Sequence, residues 1–220
     1  MFNPRNNKHS KVYKDLGDTL SFPQEKITEI LVNSSNLFRQ RTPYKWSNEK
    51  IQSYSALVIT AYLTGGRISE ILKLRYQDIT IDFKIVNKKA NWVKFLLITK
   101  KTRQNKEPKR TIPIHYNNVY NEKLLDLFLN WYLKNKQIFN DEDYLWNISP
   151  SHAYRVFAIL GFNPHFFRKL KLTILANKYN FNIPKLKKVS GHKDYKSLVP
   201  YIQFSTADIE NTILEYDNKE

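Results

Sequence analysis

The stretch Thr64–Ile79, TGGRISEILKLRYQDI, contains a break between two helical patterns. Before it, Ser47 can cap a helix whose apolar positions face inward; these are Ile51, Tyr54, Leu57, Val58, Ala61 and Tyr62. The glycine pair 65–66 ends that helix. A new helix begins at Arg67 and carries apolar side chains into the core, namely Ile71, Leu72 and Leu74. The pattern therefore predicts an arginine at a helix start, directly after a glycine turn.

Arg67 has two interpretations at this position. Its guanidinium can hold a phosphate through two hydrogen bonds, and the free N–H groups of a helix start would assist. The stretch alone favours an ordinary surface arginine after a loop. Glu70 either orients Arg67 or occupies the first turn, where the helix dipole favours a carboxylate.

The middle of the chain changes in character. Segments 79–86, 92–99 and 109–114 are short, rich in β-branched and aromatic residues, and separated by polar loops, which predicts a three-stranded antiparallel sheet. Helical patterns flank it: one from Ser21 that ends before a basic link at 39–47, and others at 117–136, 149–160, 164–178, 183–190, 194–203 and 206–216. We therefore expect an α+β fold that is mostly α-helical, with one small sheet.

The charge balance limits the class of partner. The 220 residues include 36 Lys+Arg and 20 Asp+Glu, for a net charge of +16. Such a field attracts polyanions, with nucleic acid as the first candidate and an anionic membrane surface as the second. The absence of cysteine excludes disulfides and thiol nucleophiles. No signal peptide or bilayer-spanning stretch is recognisable, so we expect an intracellular, cytoplasmic protein and no membrane partner.

Cations crowd the tip of the predicted hairpin at 96–114, LLITKKTRQNKEPKRTIPI: Lys100, Lys101, Arg103, Lys106, Lys109 and Arg110. A basic tip can enter a groove of DNA and neutralise phosphates. The alternative is a charged loop that keeps the hairpin soluble. The single acid in this loop, Glu107, makes DNA contact the favoured interpretation.

Two further clusters lie towards the C-terminus. His165 and Arg168 share one helix face at i and i+3 and can bind one phosphate together, although such a pair more often consists of ordinary surface side chains. Gly191 fits a helix end, with His192 after it and Tyr201 nine residues further on. A tyrosine becomes a nucleophile only beside cations or a base, because its usual pKa is about 10. The alternative for Tyr201 is a packed aromatic.

Metal and nucleotide cofactors have no recognisable motif. The five histidines lie far apart, and no HExxH spacing occurs. GxxxxGK[ST] and GxGxxG are also absent, so we expect neither a metal nor ATP or a nicotinamide cofactor.

Taken together, the four clusters resemble the catalytic domain of the tyrosine recombinases, the phage integrase family. TGGRISEILKLRYQDI is similar to the family's first arginine motif, and ITKKTRQNKEPKRTIPI to its lysine hairpin. HFFR is similar to the HxxR motif, and GHKDYKSLVPY to the GH motif followed by the nucleophilic tyrosine. The order and spacing agree from about residue 21 to about residue 216.

The resemblance implies a role for each of six residues. Arg67 and Arg168 would clamp the scissile phosphate, and Lys101 would protonate the departing 5′ oxygen. His165 would assist removal of the tyrosine proton, and His192 would hydrogen-bond a phosphate oxygen. The phenol of residue 201 would attack and form a 3′-phosphotyrosyl link. DNA contacts are expected from a further set: Lys100, Arg103, Lys106, Arg110 and Lys169.

Three departures qualify this picture. Many family members have a histidine where this chain has Lys169. Lys100 and Lys101 are adjacent, and Lys101 is chosen as the hairpin lysine because Thr102 follows it. Family members normally carry a DNA-clamping domain before the catalytic one, whereas only a basic tail or arm, residues 1–20, precedes the expected catalytic domain at 21–220. Either the chain is shortened or the enzyme is naturally minimal.

The expected function is site-specific DNA recombination, for integration or excision of a mobile element or for resolution of replicon multimers. The expected partner is double-stranded DNA, in the nucleoid or in a host cell, with a homotetramer assembled on it. Two alternatives remain: a type IB topoisomerase-like nicking-closing enzyme, and a DNA-binding regulator derived from a recombinase.

Overall fold

The computed structural model of the chain describes residues 24–83, 90–98, 109–116, 118, 120–178, 182–192 and 194–201. The α-helices in this part are α1 Gln24–Val32, α2 Ser34–Arg41, α3 Asn48–Thr64, α4 Ile68–Ile71, α5 Glu122–Lys136, α6 Pro150–Ile159, α7 Pro164–Lys178 and α8 Ile183–Ser190. Short 3₁₀ helices span Tyr76–Asp78 and Lys196–Tyr201. The expected α+β architecture is confirmed.

The sheet has the order β1 (Ile79–Phe83), β2 (Ala90–Ile98), β3 (Lys109–His115), and both pairs of strands are antiparallel. The central strand alternates, so that its buried side chains face the helices; these are Val93, Phe95 and Leu97. The ring centroids of Phe95 and Phe128 of α5 lie 5.2 Å apart. One face of the sheet therefore packs on the helical body.

Helix α3 runs through the core. The Ser47 side chain accepts a hydrogen bond from Lys50 N–H at 3.3 Å, as expected of its N-cap. All six positions predicted to face inward are buried. Its neighbours include α7, α5 and α2. This burial fixes the C-terminal end of α3, which leads directly into the glycine turn.

Two helix boundaries differ from the sequence expectation. The helix expected from Ser21 is divided at Asn33, which lies between α1 and α2 and makes no side-chain cap hydrogen bond. The helix expected from 117 begins at Glu122, because the Asn118 side chain accepts a hydrogen bond from Tyr120 N–H at 3.0 Å.

The C-terminal elements also differ from expectation. The helix predicted at 194–203 is a 3₁₀ helix over Lys196–Tyr201, in which Pro200 has no N–H for a helical bond. The helix predicted at 206–216 lies outside the described residues. Within the described part of the chain, no helix is both long and apolar enough to cross a bilayer.

Candidate active site

A tight turn between α3 and α4 places Arg67. Gly65 adopts φ +58°, and its N–H donates to Ala61 O at 2.9 Å. A Cβ on Gly66 would lie 3.0 Å from Leu97 Cδ1, so the backbone passes close to strand β2. Arg67 then occupies the N-cap position of α4. The glycine pair therefore brings the start of α4 against the sheet.

Glu70 holds the side chain of Arg67. Arg67 Nη1 lies 3.0 Å from Glu70 Oε1, and the backbone N–H of Arg67 donates to Glu70 Oε2 at 2.9 Å. Burial raises the pKa of this carboxyl, but the Arg110 guanidinium and the Arg67 N–H outweigh burial and lower the pKa below its usual value. The Arg67 side chain remains 41% exposed. The guanidinium is thus oriented by protein and still open to a ligand.

Arg168 is almost completely buried on α7, at 1% exposure. Its Nη1 donates to Gly65 O at 3.0 Å, and its Nη2 donates to Ser190 O at 2.8 Å. These bonds join the turn after α3 to the end of α8. The two arginines of the expected phosphate clamp therefore meet at the same glycine turn.

His192 follows directly from the end of α8. Gly191 caps that helix with φ +69°, and His192 Nδ1 lies 2.8 Å from Ser190 Oγ. His192 Nε2 lies 3.4 Å from Arg168 Nη2. A guanidinium can only donate, so this contact uses the Nε2 lone pair, and Nδ1–H donates to the serine oxygen.

The imidazole of His192 is neutral at pH 7. Burial lowers the pKa of His192 most, and the positive charges of Arg168 and Arg67 lower it further, to about 4. Partial burial, followed by the charges of the same two arginines, also lowers the pKa of His165 on the first turn of α7. Both rings are therefore uncharged at neutral pH.

The remaining candidates lie partly or wholly outside the described residues. The segment with Lys100, Lys101, Arg103 and Lys106 lies outside them, but strands β2 and β3 lead into it at the Ile98–Lys109 pair. Leu97 beside that pair touches the glycine turn. The hairpin therefore leaves the sheet next to the start of α4.

The backbone that leads to Tyr201 is anchored. Leu198 is completely buried and packs with Leu172, Ala176 and Leu186. The Asp194 carboxylate accepts hydrogen bonds from Ser197 N–H at 3.0 Å and Ser197 Oγ–H at 2.9 Å. The Tyr201 backbone ends this 3₁₀ helix, and its side chain is outside the described set.

Comparison with known proteins identifies the family of the chain. The model of the phage integrase family matches residues 24–207. The chain belongs to the phage integrase family. A search of curated proteins found no match.

Solved phage-integrase-type recombinases share the fold. XerA recombinase has a TM-score of 0.57 at 15% identity, with 87% of this chain and 63% of that chain covered. The post-cleavage complex of XerH recombinase with palindromic difH substrate has a TM-score of 0.57 at 17% identity, with 86% and 51% covered. The Flpe–Holliday junction complex has a TM-score of 0.53 at 17% identity, with 86% and 49% covered. The chain thus spans about half of the XerH and Flpe chains and somewhat more of XerA.

Two of the expected DNA contacts of this family member lie in the described region. Lys169, beside Arg168 on α7, is partly exposed. The Arg110 side chain is only 9% exposed and bonds to protein atoms, Glu70 Oε2 and Val189 O. A phosphate could reach this guanidinium only by displacing one of those partners.

Sequence reasoning did not find Ser190, which is completely buried and holds His192. Its only signal is its position before the glycine that ends α8. Within the described ranges, no group of three or more His, Asp or Glu side chains could hold a metal ion.

Proposed function

We propose that the protein cleaves and rejoins DNA strands in site-specific recombination, through a 3′-phosphotyrosyl intermediate on Tyr201. The observation that carries this proposal is that Arg168 contacts both the turn before Arg67 and the ring of His192, in a chain of the phage integrase family. A half-exposed guanidinium beside a buried one provides the charge that a phosphodiester requires.

In the first step, Tyr201 Oη attacks the scissile phosphorus and the P–O5′ bond breaks. His165 takes the phenol proton, which its lowered pKa permits because the ring is neutral at pH 7. Lys101 gives a proton to the departing 5′ oxygen. The two guanidinium groups stabilise the extra negative charge of the pentacoordinate transition state.

The second step reverses the first with a new strand. A 5′ hydroxyl attacks the phosphotyrosyl phosphorus, the P–Oη bond breaks, and the phenol recovers its proton. The covalent link conserves the free energy of the phosphodiester, so this exchange consumes no nucleotide. Proton transfers and charge stabilisation in both steps are assigned to side chains of this chain.

Double-stranded DNA is the proposed partner, and a homotetramer on two paired sites is the proposed assembly. The net charge of +16 supports binding to DNA. The XerH and Flpe structures are complexes with difH and a Holliday junction, which supports the same class of partner.

Covalent trapping tests this proposal. The protein is incubated with random-sequence duplexes that carry a central nick, so that a strand cleaved beside the nick diffuses away and the adduct persists. We expect an SDS-resistant protein–DNA adduct for the native chain, and none for Tyr201→Phe, which should bind the pool with unchanged affinity. Tyr195→Phe is the matched control, because Tyr195 is 52% exposed and its ring makes a cation–π contact with Lys187.

An adduct that persists in Tyr201→Phe contradicts the assignment of the nucleophile, and a native chain that binds DNA without forming any adduct contradicts strand cleavage altogether. Sequencing the trapped duplexes yields the target. Strand exchange between two such duplexes then distinguishes recombination from simple relaxation of a supercoiled plasmid.

A further inference from the structure

Arg110 stands near the start of strand β3, where sequence reasoning expected a DNA contact, yet its side chain turns inward. Arg110 Nη2 donates to Glu70 Oε2 at 2.6 Å, and Nη1 donates to Val189 O at 2.6 Å. The guanidinium therefore bridges the first turn of α4 and the end of α8.

Both partners of Arg110 lead to residues of the candidate active site. Glu70 holds the guanidinium of Arg67 with its other carboxylate oxygen, at 3.0 Å. Val189 lies three residues before His192, in the last turn of α8. The next carbonyl along the chain, that of Ser190, accepts a hydrogen bond from Arg168. Arg110 thus contacts both Glu70, which holds Arg67, and Val189, which precedes His192.

The turn at Gly191 is fitted to this arginine. A Cβ at Gly191 would lie 3.2 Å from Arg110 Cδ and 3.4 Å from its Nε. Glycine therefore serves two purposes here: it adopts φ +69°, and it lets the arginine pack on the backbone that carries His192.

Stability alone does not explain a buried guanidinium at this place. Burial lowers the pKa of Arg110, and Glu70 opposes that effect. Within the described part of the chain, Arg110 Nε has no hydrogen-bond partner. Replacing a whole buried ion pair of this kind by apolar side chains of similar volume is often neutral or stabilising, whereas removing the arginine alone leaves the buried Glu70 with less compensating charge.

We propose that Arg110 is a positioning residue of the phosphate site. It fixes Arg67 through Glu70 on one side, and it fixes the turn that carries His192 through Val189 on the other. This inference rests on the proposed function, since the site that it organises is the one proposed to cleave DNA.

The test compares Arg110→Met with the native chain in the covalent-trapping assay at saturating DNA. We expect adduct formation to slow by ~100-fold, because small displacements of positioned groups cost that much in rate. The Kd for DNA and its salt dependence should not change. Arg110→Lys should recover part of the rate, because an ammonium can reach one of the two acceptors.

A double-mutant cycle with Glu70→Gln tests the route of the effect. If Arg110 acts through Glu70, the two changes together slow adduct formation by less than the product of the single effects. Lys94→Met is the matched control, because Lys94 is a cation of the same sheet that pairs with Asp82 at 2.5 Å, and its rate should be native.

The unliganded protein provides a readout that is independent of DNA cleavage. The charge of Arg110 contributes to the low pKa of His192. In Arg110→Met, NMR titration should therefore find a higher His192 pKa than in the native chain, whereas Lys94→Met should leave it unchanged. Arg110→Lys separates this charge effect from positioning: it keeps the charge, so changed His192 ring shifts at pH 7 in Arg110→Lys would show that the two hydrogen bonds of Arg110 position the turn. If the native chain forms no adduct but these shifts change, the proposed function fails and the positioning network stands.

Two results would overturn the inference. A native rate at saturating DNA, with a salt slope lowered by about one, would make Arg110 a phosphate contact. A native rate and a native salt slope, with only the free energy of unfolding reduced, would make it a structural residue whatever the His192 pKa.

Discussion

The fold favours the neutral form of His192. Its ring hydrogen-bonds to a buried serine and faces a buried arginine, so a positive charge on the ring is unfavourable. The family resemblance assigns it a contact with a phosphate oxygen. A neutral histidine can donate that bond from Nε2 only after the proton moves from Nδ1 to Nε2 or a second proton binds. In the proposed function, a phosphate contact from Nε2 would therefore require either a change of tautomer or protonation of the ring.

This low pKa predicts a pH-dependent stability. Between pH 6.5 and about 4 the unfolded imidazole is protonated and the folded one is not, so the proton favours the unfolded state. The free energy of unfolding should therefore fall as the pH decreases through this window. Urea titrations at pH 7 and pH 5 measure it, and His192→Asn should lose less stability between the two than the native chain does. Equal losses in both proteins would contradict the prediction.

Motifs in the sequence identified Arg67, His165, Arg168 and His192, and one interpretation of Glu70 made it the support of Arg67. Arg168 contacts both the turn before Arg67 and the ring of His192. The inward turn of Arg110 had no signal, because a cation near a hairpin tip is more often solvated. Its direction depends on the Glu70 carboxylate forty residues earlier, a long-range contact that no local pattern encodes.

The glycine turn after α3 is the element that joins the core to the site. Gly65 adopts the left-handed backbone conformation, and its carbonyl accepts a hydrogen bond from Arg168. A Cβ there would lie 2.7 Å from Lys171 Cβ and 2.8 Å from Lys171 Cγ. Helix α7 therefore packs on this turn at a distance that only glycine permits.

Gly65→Ala should consequently destabilise the protein and impair the site. The left-handed conformation alone costs about 1–2 kcal/mol for a residue with a Cβ, and the contact with Lys171 adds to it. Urea unfolding at pH 7 measures the loss. Gly161→Ala is the matched control, because Gly161 also has a positive φ, +82°, but ends α6 rather than α3.

The two variants should differ in adduct formation. We expect Gly65→Ala to slow covalent trapping under conditions in which it remains folded, because the acceptor of Arg168 moves. Gly161→Ala should lose stability and keep the native rate. Equal rates in the two variants would show that the turn does not position the clamp.

Element types followed from periodicity more reliably than element ends. The inward positions of α3 and the three strands were predicted from periodicity, but α3 is in fact buried on all sides from Tyr54 to Thr64. The break at Asn33 was missed and has no side-chain hydrogen bond that explains it. The late start of α5 was missed because a hydrogen bond to the Asn118 side chain decides it within a few residues. The 3₁₀ helix at Lys196–Tyr201 was missed because its proline interrupts a pattern that otherwise resembles an α-helix.

The whole molecule combines a helical body, a small sheet and a strong positive field. The sheet packs by one face on the helices, and the site lies where the end of α3, the sheet and the end of α8 meet. The fold class was predictable because the spacing of apolar residues, alternate in strands and every three to four residues in helices, is visible in one sequence. How α7, α8 and β3 approach one another was not, since it depends on buried polar contacts between distant segments.

The net charge of +16 predicts a steep salt dependence of DNA binding. If the protein neutralises six or more phosphates, affinity should fall by ~10³-fold or more between 50 and 200 mM salt. Fluorescence anisotropy with a labelled duplex measures this. Neutralising Lys100, Arg103 or Lys106 with glutamine should each reduce the slope by about one, and a slope that none of them changes would exclude the hairpin from the interface.

The buried Leu198 sets the length of a tether. Residue 201 is three positions beyond it, so its Cα can lie no more than about 11 Å from that of Leu198. While this leucine stays between α7 and α8, the backbone of the proposed nucleophile stays within that distance of it. In the proposed function, a phosphodiester beyond the reach of that tether could be attacked only after the leucine left its packing site, with the free-energy cost of exposing an apolar side chain.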